Sequence, residues 1–520
     1  MTKENQYKRG LSRRDALALA TGSAVSALVG FDAGAQSTPK RGGVLKVSAN
    51  ANPSSLDPAT GGAGSDHTML FPMYDTLMEW DYETLKPKPG LAESWRFSDP
   101  QTLVLALRKG VTFHDGTQFD AEAVKFNLDR CKTEPRSNLK ADLATVASVE
   151  ATGPMEVTLK LSQPDAALPG ILSDRAGMMV SPTALKANGG ALDRKPVGAG
   201  AYTFVSWTDN ERLIMKRNDK YWRANERYLD GIEFAIIPEL ATGLRSVIAG
   251  QNDVAYSIPA RQKPVIQRAK NLTVVTGPTV YCIQIYYNWA RPPFDDIRIR
   301  KALNFAIDRD MFVKATLDGV GEPAYMNLPS KHWAYDPEVA KLYSYDPDKA
   351  RALLKEANLP QNFGLELIGY TDQDSIRREE IIIEQLAKVG LKAKFTNGSI
   401  AEMSAAFLKD KKGDGLLSAW TGRPDPSLTY ALMYSKDSYF NAGRADVPAE
   451  LPEALKQTRL TENIDERRKA FAKVQRLVME NALVCPIAFQ FELDALGPRV
   501  KGFKPNLLGK PKYDGVWLEG

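Results

Sequence analysis

Residues 346–395 constrain the fold most, because they commit the chain to helices laid against a sheet. In DPDKARALLKEANLP (346–360), Asp346 stands at the N-cap position and Pro347 follows at the first helical position, where its missing N–H costs nothing. Leu353 and Leu354 give this helix an inward face, and Pro360 stops it. A second helix over residues 376–389 ends at Gly390 and feeds the strand LKAKF. Alternation of helix and strand across such short joints predicts an α/β protein with a mixed sheet and helices packed on it.

Other segments extend this pattern. Residues 44–49 alternate like a strand and enter a loop rich in Pro, Gly and Ser, NPSSLDPATGGAGSD. From Thr102 the strand TLVLAL is followed by a Lys109-Gly110 turn, a short strand VTF and a His114-Asp115-Gly116 turn. Asp120 then caps a helix through AEAVKFNLDR, and residues 146–151 and 155–161 flank Thr152-Gly153-Pro154 as a β-hairpin. A Gly-rich joint, PVGAGAYTFVSW (196–207), opens another strand. The apolar runs 232–237 and 282–287 suit buried strands, and a helix begins near Ile297 with Ile299, Ala302, Leu303, Ala306 and Ile307 on one face. The final apolar run, ALVCPIAFQFELDAL, returns to a buried sheet. With 520 residues, 43% of them hydrophobic, the chain has material for two or three domains.

The first 35 residues read as an address. Arg13-Arg14 precede an uncharged, Ala-rich run over 16–30, too short to span a bilayer, and Ala33-Gly34-Ala35 offers a small-x-small cleavage site near Ala35. The arginine pair points to the twin-arginine export route, with an ordinary Sec signal as the alternative; both lead to the periplasm. No cysteine follows the run, so nothing suggests a lipid anchor. Removing this segment takes five Lys/Arg and three Asp/Glu, so the net charge falls from +5 to +3. Such a balance does not make a nucleic-acid or membrane binder. Three cysteines, Cys131, Cys282 and Cys485, lie too far apart for a metal motif; one disulfide or three buried thiols fit them.

Catalytic signatures are missing. There is no P-loop, no GxGxxG between strand and helix, no HExxH, and His67, His114 and His332 stand alone. Ser137 and Lys140 match SxxK without its companion motifs. No cofactor or metal is expected. One loop remains: SAWTGRPDPSLTY (418–430), where Gly422, Pro424 and Pro426 set Trp420, Arg423 and Asp425 on a stiff irregular turn after a strand.

Several segments in order resemble the family 5 solute-binding proteins of ABC importers, which include receptors for peptides and nickel chelates. These are LRKGVTFHDGTQFDAEAVKFNLDR (107–130), PVGAGAYTFVSW, KRNDKYW with YLDGIEF (216–234), and YYNWARPPFDDIRIRKALNFAIDR (286–309). The resemblance spans about residues 41–505 and implies a type II periplasmic-binding fold with two ligand-gripping lobes and an extra domain. Lobe I would comprise 41–80, 196–282 and 489–520; the extra domain 81–195; lobe II 283–488. The chain would cross between lobes near 282–287 and 487–491. The implied protein is a monomeric receptor that closes on a small or peptide-like solute and docks on membrane permease subunits. An exported enzyme or a signalling receptor on the same fold is the alternative.

In the family's peptide receptors an aspartate three residues after the equivalent of Trp420 holds the peptide's α-amine. Here the WTG frame is kept but that position is Arg423. A guanidinium cannot accept from an ammonium and favours an acidic group instead. Asp425 could take over the amine or hold Arg423 in place, and Trp420 could wall the ligand or belong to the core. Tyr286, Asn288 and Trp289, just after the first crossing, and the loop of Ser65, Asp66 and His67 are further candidate contacts, with Tyr370, Thr371 and Asp374 behind them. So few histidines argue against a nickel chelate.

Overall fold

The computed structural model describes residues 38–436, 438–441 and 447–520, so the leader expected over 1–35 lies outside the described residues. Residues 41–520 are built on three main sheets. The first has seven strands in the order Thr273–Gly277, Glu492–Leu496, Val254–Ala255, Val44–Ala49, Gly231–Ile236, Arg212–Arg217 and Tyr202–Thr208. Val44–Ala49 lies parallel to both its neighbours, and every other pairing is antiparallel.

The second sheet has six strands in the order Gly321–Pro323, Val484–Gln490, Cys282–Tyr287, Gly415–Trp420, Phe363–Tyr370 and Leu391–Gly398. Cys282–Tyr287 is buried at every position, which is why CIQIYY reads as an unbroken apolar run with a single polar residue. The helices expected from 346–389 form as Pro347–Glu356, capped by Asp346 on Lys349 N, and Gln373–Ala387, capped by Asp372 on Ser375 N. Deep in this unit the Arg309 guanidinium donates to the carbonyls of Ala324 (2.8 Å), Pro486 (2.9 Å) and Asn304 (3.0 Å), joining its helix to the strand Val484–Gln490.

The third sheet is antiparallel: Ala92–Asp99, Thr102–Leu107, Glu156–Leu161 and Val146–Gly153. Helix Ala121–Thr133 packs on it, capped by Asp120 through Ala123 N at 2.9 Å. The strand expected at VTF does not form. Phe113 N and Gly116 N close a tight turn onto Thr117 O and Phe113 O, leaving only an isolated bridge from Thr112 to Gln118.

The chain passes from the first sheet to the second between Gly277 and Cys282 and returns at Phe491, the one residue between Gln490 and Glu492. The run ALVCPIAFQFELDAL therefore divides between two sheets rather than lying in one. The passages are bonded together: Thr279 Oγ1 donates to Gln490 O (2.6 Å) and Gln490 N to Tyr281 O (3.1 Å). Cys282 and Gln490 both belong to strands of the second sheet. All three cysteines are buried free thiols. Among the described residues no helix is long and apolar enough to cross a membrane.

Candidate ligand-binding cleft

The two passages border a cavity of about 370 Å³, within the usual range for small-molecule pockets. Thr279, Tyr281 and Phe491 come from the passages themselves, and Gln490 from the end of the second sheet's strand. Ser65, Thr68 and Tyr256 come from loops of the first sheet, Lys510 from the C-terminal segment, and Thr421 from the loop that leaves the second sheet. A molecule held here touches both sheets at once.

Charge gathers on one side of it. His67 Nε2 lies 2.7 Å from Asp174 Oδ1, Nδ1 lies 3.0 Å from the Gly64 carbonyl, and Lys510 Nζ lies 3.3 Å from Nε2. Burial lowers the His67 pKa, with Asp174 opposing and Lys510 adding to the fall. Burial raises Asp174, but His67 and Lys510 outweigh it and hold the carboxyl well below its ordinary range. Burial also brings Lys510 down to about 8; Asp174 opposes that, while Arg423 and Arg175 contribute to it. Arg423 donates to its own loop's Gly422 carbonyl (2.8 Å), and its guanidinium carbon lies 5.2 Å from the Trp420 ring centre. Lys510, which borders the cavity, and Arg423, which does not, thus feel each other's charge. Burial raises Asp142 against the pull of Arg423.

Another side is acidic. Ser257 has left-handed backbone (φ 53°), uncommon for a residue other than glycine, and it aims two donors at neighbouring carboxyls. Its Oγ donates to Glu492 Oε1 (2.7 Å) and its N–H to Asp494 Oδ1 (3.0 Å). Burial raises both acids, Asp494 well above the ordinary range because it also faces Glu492. Glu492 borders the cavity, and Asp494 stands behind it. Neither this pair nor Lys510 stood out from the sequence. The available signal was two acids at i and i+2, hence on one strand face, inside a run otherwise fit for burial.

The residues expected from the sequence separate into groups. Asp425 is engaged inside the protein. Both its oxygens accept from Arg467 Nη2 at 2.9 Å, Oδ1 caps the helix Pro426–Tyr434 through Ser427 N, and its side chain is 4% exposed. It holds Arg467 rather than Arg423. Trp420 is core: buried, donating from Nε1 to Thr429 Oγ1 (3.1 Å), with Phe440 edge-on at 5.2 Å. Tyr286 is buried in its strand, Asn288 Nδ2 donates to Lys411 O (3.2 Å), and Trp289 stacks on Tyr434 at 6.5 Å. These three lie beyond the first passage, inside the second sheet's core, and do not border the cavity. Asp66 accepts from Ser54 N (2.8 Å), Ser54 Oγ (2.6 Å) and Ala63 N (3.1 Å), folding the loop that brings Ser65 to the cavity. Tyr370 bonds Ser404 and Ser418, Thr371 is exposed, and Asp374 pairs with Arg261 across the two sheets.

Comparison with known proteins agrees with this architecture. The chain matches the model for bacterial extracellular solute-binding proteins, family 5 middle, over residues 86–441. It is 30% identical over 478 residues to the glutathione-binding protein GsiB of Escherichia coli (strain K12), covering 88% of this chain and 91% of that one. The periplasmic binding protein DppA of Helicobacter pylori, solved with the peptide STSA, superposes with TM-score 0.80 at 24% identity over 92% and 99% of the two chains. AgaA of A. tumefaciens R10, solved with agropinic acid, gives TM-score 0.77 at 22% identity over 92% and 99%. The fold is that of a type II periplasmic binding protein. The chain belongs to family 5 of the bacterial extracellular solute-binding proteins, and its role is that of a substrate-binding receptor of an ABC importer.

Two outcomes follow for stability. Arg467→Met leaves the Asp425 carboxylate buried and unpaired, and should cost about 3–5 kcal/mol in urea unfolding; Arg467→Met with Asp425→Asn should recover part of it. Gly422 has φ 74°, and a Cβ there would come within 2.6 Å of Val280 Cβ at the first passage. Gly422→Ala should therefore lower the unfolding free energy by more than about 1 kcal/mol, read in the same experiment; an unchanged midpoint would remove the proposed close packing.

Proposed function

We propose that this receptor captures a small peptide-like or otherwise acidic organic solute in the 370 Å³ cavity and delivers it to permease subunits in the membrane. The exported chain works as a monomer in the periplasm after residues 1–35 leave by the twin-arginine route near Ala35. Lobe I corresponds to the seven-stranded sheet with the C-terminal segment, lobe II to the six-stranded sheet, and the extra domain to the four-stranded sheet.

The observation that carries the acidic ligand is Lys510, a buried cation on the cavity wall that also feels the like charge of Arg423 from the other lobe. Repulsion between them works against closure of the empty cleft. An anionic group between them turns that repulsion into two charge-assisted contacts, one from each lobe. A ligand that binds the closed form better by several kcal/mol is what a mostly open receptor needs to shut. The similarity to a glutathione-binding protein makes glutathione the first probe to try.

Glutathione should raise the melting temperature of the full exported chain with no turnover of the added compound; an unchanged melting temperature, or a chemical product, would oppose this reading. Arg423→Asp and Lys510→Met should each weaken binding by about tenfold or more, since a bond to a charged group contributes about 1.5–3 kcal/mol. The pH dependence has a definite sign. An acidic ligand binds the protonated Lys510, whose pKa in the free protein is about 8, so affinity falls as pH rises through that value and a proton is taken up on binding there. Calorimetry in buffers of different ionisation enthalpy measures that uptake, and Lys510→Met should abolish it.

A further inference from the structure

Four buried acids elsewhere in this protein are answered by the protein's own cations. Asp57 pairs with Arg130, Asp165 with Arg459, Asp425 with Arg467, and Asp174 with His67. Glu492 and Asp494 differ. Among the described residues no Lys, Arg or His reaches either carboxyl. Asp494 is 1% exposed, and beyond the proton that the two carboxyls share its Oδ2 receives no N–H or O–H from the protein. Tyr256, on the cavity wall beside them, is 5% exposed and its hydroxyl has no hydrogen-bond partner either. The other groups facing the pair are Ser257 and the phenol of Tyr513 from the C-terminal segment, neither of them charged. A buried acidic pair with no counter-cation, open to a ligand cavity through Glu492, is an incomplete site.

We propose that Glu492, backed by Asp494 and held by Ser257, receives an ammonium group of the ligand, so that the bound solute supplies the cation that the protein omits. This subsite lies on the second passage between lobes, away from the loop after Trp420, and rests on the receptor reading above. An ammonium N–H donates to Glu492, and its charge favours the ionised form of the pair. The pair therefore gives up part of its proton to solvent on binding, and affinity for the amine rises with pH through the range in which the pair ionises. Acting with Lys510 and Arg423, it makes the cavity one for a dipolar solute with its acidic and basic ends apart.

The test is calorimetry on the full exported chain with glutathione and Ala-Ala-Ala, each as the free amine and as the N-acetyl derivative. It is run near pH 6, well below the Lys510 pKa of about 8, so that proton uptake at Lys510 does not contribute. The unmodified protein should bind at least one free amine about tenfold to a hundredfold more tightly than its acetylated form, with net proton release. Glu492→Gln with Asp494→Asn should remove both the preference and the release. Equal affinity for acetylated and free probes, or a preference that survives in the double variant, overturns the subsite while leaving the receptor reading standing. Failure of the unmodified protein to bind either probe overturns both. Comparison of the acetylated and free probes needs no variant, so a folding defect cannot obscure it.

Discussion

Two short stretches of backbone, residues 278–281 and Phe491, carry the link between the two large sheets. The strands on either side of them are neighbours in both sheets: Thr273–Gly277 pairs with Glu492–Leu496, and Cys282–Tyr287 pairs with Val484–Gln490. The passages consequently behave as a two-stranded ribbon interrupted at its middle and stitched there by Thr279, Tyr281 and Gln490. A few residues at element ends can absorb the backbone rotation of a hinge, while the hydrogen-bonded strands around them stay rigid. The cavity lies against this ribbon, so its walls are placed by sheet geometry. Gly422 shows how close the fit is: the loop leaving the second sheet rests on Val280 with no room for a side chain.

Around that ribbon the distribution of charge follows one rule with one exception. Away from the cavity, buried ions such as Asp57 and Asp425 are neutralised in pairs, and Arg309 is wrapped in carbonyls. Leaving a buried charge uncompensated costs several kcal/mol, so such pairing is what a stable fold requires. At the cavity the accounting is left open in both directions. Lys510 and Arg423 repel across the cleft, and Glu492 and Asp494 compete for protons. The unfavourable terms lie where a bound molecule can remove them, on opposite sides of one volume.

Local signals made much of the fold legible before any coordinates. Asp120, Asp346 and the Pro347 that follows it marked helix starts through the chemistry of unsatisfied N–H groups, which acts within a few residues. Cys282–Tyr287 was legible because burial on both faces leaves a continuous apolar run. VTF misled, since two apolar residues flanking a threonine suit a tight turn that anchors Val111 and Phe113 as well as they suit a strand. The site was far less legible. Asp425 looked free, since nothing in the sequence ties it to Arg467, 42 positions away. Lys510 and Glu492 looked unremarkable because their meaning comes from tertiary neighbours: Asp174 and His67 for one, Ser257 and Asp494 for the other.

The arginine at 423 takes on a different meaning in this setting. In a receptor that grips an amine from the loop after the tryptophan, reversing that charge would forbid the same ligand end at the same place. Here the acidic function stands on the second passage, at Glu492, and the loop instead faces Lys510 with a like charge. Reversal at 423 and the unanswered acids at 492 and 494 are then complementary features of one cavity. On the proposed reading they would admit a dipolar solute in a single orientation, because turning it end for end would set its ammonium against two cations and its acid against the carboxyl pair. Each misplaced contact leaves a buried charge unpaired, so discrimination comes as much from what the wrong orientation loses as from what the right one gains.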